Sequence, residues 1–415
     1  MNQTTPPLFR RDFTLVVLGQ IISLFGNAVL RFALPLYLLR ETGSPALFGA
    51  VTAAAFLPMI LLSLTGGVVA DRVNKRSIMV MLDFTTAALI GTLGLLLGRM
   101  PLVPLFAAFL MLLYGISGAY QPAVQASVPL LVPGPRLMEG NAVINQVSTL
   151  ANLLGPVLGG LLFHAWGLEP ILAVSGICFV CSAVMELFIR MPHTPRGKAE
   201  GLLAAAAGDL RESCRFLRRE RPALISVVAV LALFNLALTA CLIVGIPVMV
   251  VQTLRLGDTA LGAAQGVQGL GGLAGGLLAG RLAPRLRLGR TWLPLALCGL
   301  TAACMGAALL PGVPAWAGYG VILAAVLTAT AASTLVSIQL CTAIQHATPP
   351  HLVGKVMAAV IAASMCTQPV GQAAYGVLFD LLAGLPWLPP FLAAAASLAI
   401  SLASRRTFRR LENMV

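Results

Sequence analysis

Charge is what this sequence has least of. Only 10% of its 415 residues are Asp, Glu, Lys or Arg, where an ordinary soluble domain carries about 25%. That scarcity excludes a soluble enzyme. The nucleotide-binding loop G-x-x-x-x-G-K-[ST] is also missing, so nothing in the chain would harness ATP. Eight cysteines are present, mostly inside apolar runs. Cys178 and Cys181 form a C-x-x-C within one such run, but no second pair or histidine cluster accompanies it. Packing is the reading; no metal site, cofactor or disulfide framework is expected. No nucleophile, base and orienting partner converge in the apolar runs, and no soluble output domain is left over, which argues against an enzyme or a receptor.

What is present is apolar sequence, 58% of the chain, with a mean hydropathy of +0.92. At about 20 to 25 residues per crossing, that length supplies roughly twelve membrane-spanning helices. Breaks marked by charge, proline or glycine set them near 13–39, 45–70, 77–98, 101–131, 140–166 and 168–190, then 222–253, 258–281, 291–310, 314–345, 351–383 and 386–404. The start, Arg10-Arg11 before an apolar run, looks like a signal peptide. Its length, and the want of a cleavage site, make it the first span.

The net charge of +13 is explained by topology. With the N-terminus in the cytoplasm, 23 of the 27 Lys and Arg fall on cytoplasmic segments, Arg40, Arg99 and Arg255 fall outside, and Arg31 lies in a span. Both termini are then cytoplasmic, and nucleic acid is not needed as a partner. The long connection 191–221 separates an N-terminal bundle, 1–190, from a C-terminal bundle, 222–415. Its second part places Leu210, Cys214 and Leu217 on one helical face and arginines on the other, as an amphipathic helix tethered at the membrane surface would. The halves echo each other: an offset of 214 residues superposes Gln125 on Gln339 and Gly140 on Gly354. Parallel repeats of this kind build transporters whose substrate binds between them.

The connection between the second and third spans reads Gly67-Val68-Val69-Ala70-Asp71-Arg72-Val73-Asn74-Lys75-Arg76. Gly67 permits close helix approach, and the cations hold the loop in the cytoplasm. This segment closely resembles the G-x-x-x-D-R-x-x-[RK]-[RK] signature of the major facilitator superfamily. The resemblance implies a fold of two pseudo-symmetric six-helix bundles that rock about a central cavity, and a latch in which Asp71, with Arg72 and Arg76, meets the amide end of the eleventh span. The loop after the eighth span keeps Gly276 and Arg281 but has no acid. In the fifth span, Gly155-Pro156-Val157-Leu158-Gly159-Gly160 is similar to the G-P-x-x-G-G signature of antiporters in that superfamily. Gly155 and Gly159 share a face, and Pro156 removes a backbone donor. The resemblance sets this face against an eighth span carrying Gly262, Gly266, Gly269, Gly272, Gly276 and Gly280. Segments around Gly19-Gln20, Thr42-Gly43-Ser44 and Gly118 to Pro133 look like the macrolide-efflux and siderophore-export branch.

Polar groups within spans are costly unless they face a cavity or a partner. Arg31 lies one turn after Asn27; it attracts a substrate anion or pairs with an acid, or else snorkels outward. Asp83 pairs with Arg72 or Lys75, or binds a proton. Glu186 precedes Arg190 by four residues, the orientation of a helical ion pair. Asn27 stands where related exporters carry an acid. With Asn145, Gln146, Asn152, Gln265 and Gln268 it forms a candidate cavity lining for a neutral or amphipathic substrate. The reading is a monomeric, all-α, twelve-span transporter in the cytoplasmic membrane of a bacterium, with the lipid bilayer, a small-molecule substrate and protons as its partners. By resemblance it exports a macrolide-like drug in exchange for protons; the alternative is a siderophore, lysophospholipid or metabolite carrier of the same fold, with or without proton coupling.

Overall fold

In a computed structural model of the chain, the described residues are 7–191, 202–219, 221–282, 288–349 and 352–412. The side chains of 64–72, 202–210, 223, 406–407 and 409–412 lie outside that description.

The described residues are helical and contain no strand. The N-terminal half comprises α1 (Arg11–Thr42), α2 (Pro45–Arg72), α3 (Lys75–Leu96), α4 (Leu102–Leu131), α5 (Leu137–Trp166) and α6 (Leu168–Leu187). After it come α7 (Leu202–Arg219), α8 (Pro222–Phe234), α9 (Ala240–Pro247), α10 (Asp258–Leu282), α11 (Trp292–Ala307), α12 (Ala315–His346), α13 (Val353–Leu381) and α14 (Leu388–Glu412). The seventh predicted span is not one regular helix: α8 and α9 are joined through a π-helical stretch, Asn235–Thr239, and followed by another, Val248–Thr253. Ends are set locally. Asn74 caps α3, its side-chain oxygen accepting from the Arg76 amide at 3.0 Å. Gly43, at φ 62°, ends α1 in the left-handed conformation that only glycine adopts cheaply.

Among the described residues, eleven stretches are long and apolar enough to cross a membrane. The remaining predicted span is α10, whose 25 residues include eight glycines; it has the length but not the hydropathy. The sixth span is shorter than predicted, ending at Leu187 rather than Arg190.

The chain divides into two compact units, one of Met1–Thr42 with Ala54–Ala199 and one of Gly43–Ala53 with Glu200–Val415. The boundary falls within α2. In the first unit α1 packs on α4, α5 and α6, and α3 on α4 and α6. In the second, α8 and α9 pack on α13, α8 on α14, and α11 on α12 and α14. The helices thus pair in the same order six spans apart, which gives the offset of 214 residues a physical counterpart. Helix α7 belongs to the second unit. Ser213, Phe216 and Leu217 are its buried side, whereas Cys214 is exposed, so the apolar face is rotated from the one the spacing suggested. The Glu212 carboxylate accepts from Lys355 Nζ of α13 at 2.7 Å.

Candidate functional site

One face of α1 carries Gln20, Ser23, Asn27 and Arg31, spaced three and four residues apart, and α4 meets it rung by rung. Gln20 Nε2 donates to the Tyr120 hydroxyl at 2.8 Å. Asn27 Nδ2 donates to Ser117 Oγ at 2.8 Å. The Arg31 guanidinium carbon lies 4.0 Å from the centre of the Tyr114 ring, whose other neighbour is Phe56 of α2, edge-on at 5.5 Å. The rungs extend about 16 Å along α1. Arg31 is therefore held by an aromatic face, a contact that offsets the cost of a cation in a span.

At its Gln20 end the ladder runs into two acids. Tyr120 donates to Glu186 Oε1 at 2.7 Å. Glu186 of α6 is 0% exposed and Asp83 of α3 is 2% exposed. The two carboxyls are close enough to act on each other electrostatically, and the Ser182 hydroxyl faces Asp83. Oδ2 of Asp83, Oε2 of Glu186 and Oε1 of Gln20 are buried without a hydrogen-bond partner. No ion pair of Asp83 or Glu186 is formed among the described residues. The expected Glu186–Arg190 pair is not made, because α6 ends at Leu187 and the geometry of a helical turn stops there. Arg190 instead gives its backbone N–H to Asp12 Oδ1 at 3.1 Å.

Helix α5 presents two different faces. A Cβ on Gly155 would overlap Ala28 of α1, and one on Gly159 would stand 2.9 Å from the Phe32 ring. These glycines, with the buried Gly160 and the half-buried Pro156 beside them, let α1 approach closely. Asn145, Gln146 and Asn152 are exposed, with Asn152 halfway along α5. Of the predicted latch, Gly67, Asp71 and Arg72 fall outside the described side chains. Arg76 is described: its Nη2 donates to the Leu187 carbonyl at the end of α6, where the last turn has no helical donors of its own.

In the second unit, Gly271 and Gly275 of α10 face α12, where a Cβ would run into Thr330 and the Ala331 carbonyl. Gly276 and Gly280 have open space beside them, and Gln265 and Gln268 are half-buried. A cavity of about 210 Å³ is lined by Asn235, Thr239, Ser333, Thr334 and Ser337 together with apolar side chains. The first turn of α2 docks in this unit: Ser44 Oγ donates to Asp380 Oδ2 at 2.8 Å, Gln252 Nε2 donates to the Gly43 carbonyl at 3.0 Å, and a Cβ on Gly49 would lie 2.9 Å from Gly376 Cα.

The sequence profile of the Major Facilitator Superfamily matches residues 16–371. The chain belongs to that superfamily. Its eleven membrane-length helices among the described residues make it a multi-pass membrane protein of that superfamily. Among its relatives, Macrolide efflux protein A of Streptococcus pyogenes is 26% identical over 185 residues, 44% of this chain and 46% of that protein. Lysophospholipid transporter LplT of Serratia proteamaculans is 28% identical over 217 residues, 49% of this chain and 52% of that protein. The chain thus spans about half the length of these curated relatives. A bacterial homologue of the human lysosomal transporter Spinster shares the fold, with a TM-score of 0.70 at 14% identity, over 97% of this chain and 96% of that one.

Within this superfamily member, the buried cluster was only half visible in the sequence. Gln20 and Tyr120 both lie in segments that carry the family resemblance, and the spacing 20, 23, 27 and 31 was the available signal for a polar face. That Glu186 belongs to it depends on the packing of α1 against α6.

Proposed function

We propose that this transporter exports an amphipathic small molecule of the macrolide kind by alternating access, in exchange for protons, across the cytoplasmic membrane of a bacterium with its N-terminus inside. The observation that carries the reading is the exposed amide row of α5. An uncharged amide halfway along a spanning helix is unfavourable against hydrocarbon, so Asn145, Gln146 and Asn152 support an aqueous path along that face. Amides offer both donors and acceptors, suited to a ligand rich in hydroxyl and carbonyl groups and without a fixed net charge. The likeness to Macrolide efflux protein A supports the choice among such ligands. Membership of the superfamily supports alternating access, in which two states exchange and substrate and proton each favour one of them.

Efflux of radiolabelled erythromycin from preloaded, exporter-deficient cells tests this directly. The expected result is efflux well above empty cells, stopped when a protonophore is added midway and reduced by Asn152→Leu. Efflux equal to that of empty cells, with the protein present in the membrane, removes macrolides. Siderophores, lysophospholipids or metabolites then take their place, the second of these on the likeness to LplT.

A further inference from the structure

We propose that Asp83 and Glu186 together hold one exchangeable proton, and that this pair is the coupling site of the transporter. The coupling half of the inference rests on the proton exchange proposed above; the proton-binding half stands by itself.

The geometry is specific. Two carboxyls from different helices, α3 and α6, are buried at 2% and 0% exposure on either side of Ser182, whose hydroxyl faces Asp83 and, with Glu186 Oε1, borders Gly19, and they act on each other electrostatically. Tyr120 of α4 donates to Glu186 and is met in turn by Gln20 and Ser23 of α1, and Ser182 of α6 faces Asp83. None of these is a cation, and among the described residues no Lys or Arg pairs with either acid. Arg190, the nearest in sequence to Glu186, is exposed and lies beyond the end of α6.

Burying two negative charges together without a cation is costly on two counts, lost solvation and mutual repulsion. One proton between them removes one charge and supplies one donor. The hydrogen bonds indicate where it sits. Tyr120 spends its single proton on Glu186 Oε1 and accepts from Gln20, so the free positions are Asp83 Oδ2 and Glu186 Oε2, the two carboxyl oxygens left without a partner. The proton arrives from water and returns to water; no other bond changes. Tyr120 makes its presence felt on α1 and α4, because protonating Glu186 weakens the acceptor that fixes the Tyr120 hydroxyl and, through it, Gln20. The second unit has no such pair: the acids within its spans are Asp258, the first residue of α10, and Asp380, next to the last of α13.

The test uses the full chain in lipid nanodiscs, with the infrared carboxyl C=O band followed as pH is cycled in potassium buffer. Wild-type protein is expected to show one carboxylic band that disappears and returns with pH. Asp83→Asn and Glu186→Gln each abolish it, Tyr120→Phe shifts its midpoint, and Asp83→Glu and Glu186→Asp, which preserve the charge, keep it. A band that titrates unchanged in both amide variants overturns the proposal, as does a band lost on adding sodium at fixed pH, which would make the pair a metal-cation site. For coupling, proteoliposomes are given radiolabelled erythromycin outside and compared in two modes, exchange against unlabelled erythromycin inside at equal pH and uptake under an acidic interior. Glu186→Gln should retain exchange at equal pH and lose protein-dependent uptake driven by a pH gradient by about ten-fold. Equal loss in both modes assigns Glu186 to structure and overturns the coupling role. Wild-type protein that titrates normally but ignores erythromycin removes the substrate reading and leaves the proton pair standing.

Discussion

The two units pair their helices in the same order, yet they fill the space between those helices with opposite chemistry. In the first unit the contact of α1 with α4 is a ladder of polar rungs ending in two buried carboxyls. In the second, the corresponding contact of the seventh and tenth spans encloses the cavity of about 210 Å³, lined by hydroxyls, one amide and apolar groups. The offset of 214 residues brings Tyr120 onto Thr334, which lines that cavity: where one repeat has a phenol reaching Glu186, the other has a short hydroxyl and a void. A shared scaffold thus carries buried carboxyls in one half and a hydroxyl-lined cavity in the other. The π-helical stretch Asn235–Thr239, part of the cavity wall, fits that division, since such stretches interrupt regular helix frequently at functional sites.

The largest effects expected from breaking this comparison are at the glycine contacts, which both units use for close helix approach. Gly155→Val in the first unit and Gly275→Val in the second should each cost about 2–3 kcal/mol by overpacking, read as a fall in apparent Tm of the purified protein. Gly280→Ala, with open space beside it, should change stability by less than about 0.5 kcal/mol. Next comes Asn152→Leu, which should slow erythromycin efflux about ten-fold, about 1.4 kcal/mol, at unchanged Tm; a fall in Tm with normal efflux would place Asn152 in packing rather than in the path. Smaller again is the rung at Arg31. In a double-mutant cycle, Arg31→Gln and Tyr114→Leu should show a coupling of about 1 kcal/mol, and additive effects would mean that the guanidinium gains nothing from the ring. The smallest effect belongs to the exposed pair that pins α7. Lys355→Ala should cost under about 0.5 kcal/mol and less at high salt.

Much of the fold was legible because hydrocarbon imposes a single rule on every span. Long apolar runs had to be helices, and all twelve predicted spans correspond to helical stretches. The rule says nothing of which helix lies beside which. Glu186 and Arg190 satisfied the spacing of a helical pair, but that spacing assumes a helix continuing past Leu187. Asp83 was recognisable as an expensive residue without its partners being recognisable, since they come from α1, α4 and α6. The spacing of Gly155 and Gly159 puts them on one face of α5, whereas the neighbour that fills that face, α1, depends on tertiary packing. Ser44 and Asp380 are separated by 336 positions, and no local pattern links them.

In the proposed function, a proton gradient drives transport through the half of the molecule that carries Asp83 and Glu186. Proteoliposomes holding the wild-type protein or Glu186→Gln, given an acidic interior and external radiolabelled erythromycin, measure it in one step. Wild-type vesicles should take up label faster than protein-free vesicles with the same gradient, until a protonophore collapses it, and Glu186→Gln vesicles should match the protein-free ones. Accumulation by wild-type protein without a gradient, or equally fast uptake by Glu186→Gln, would contradict the claim.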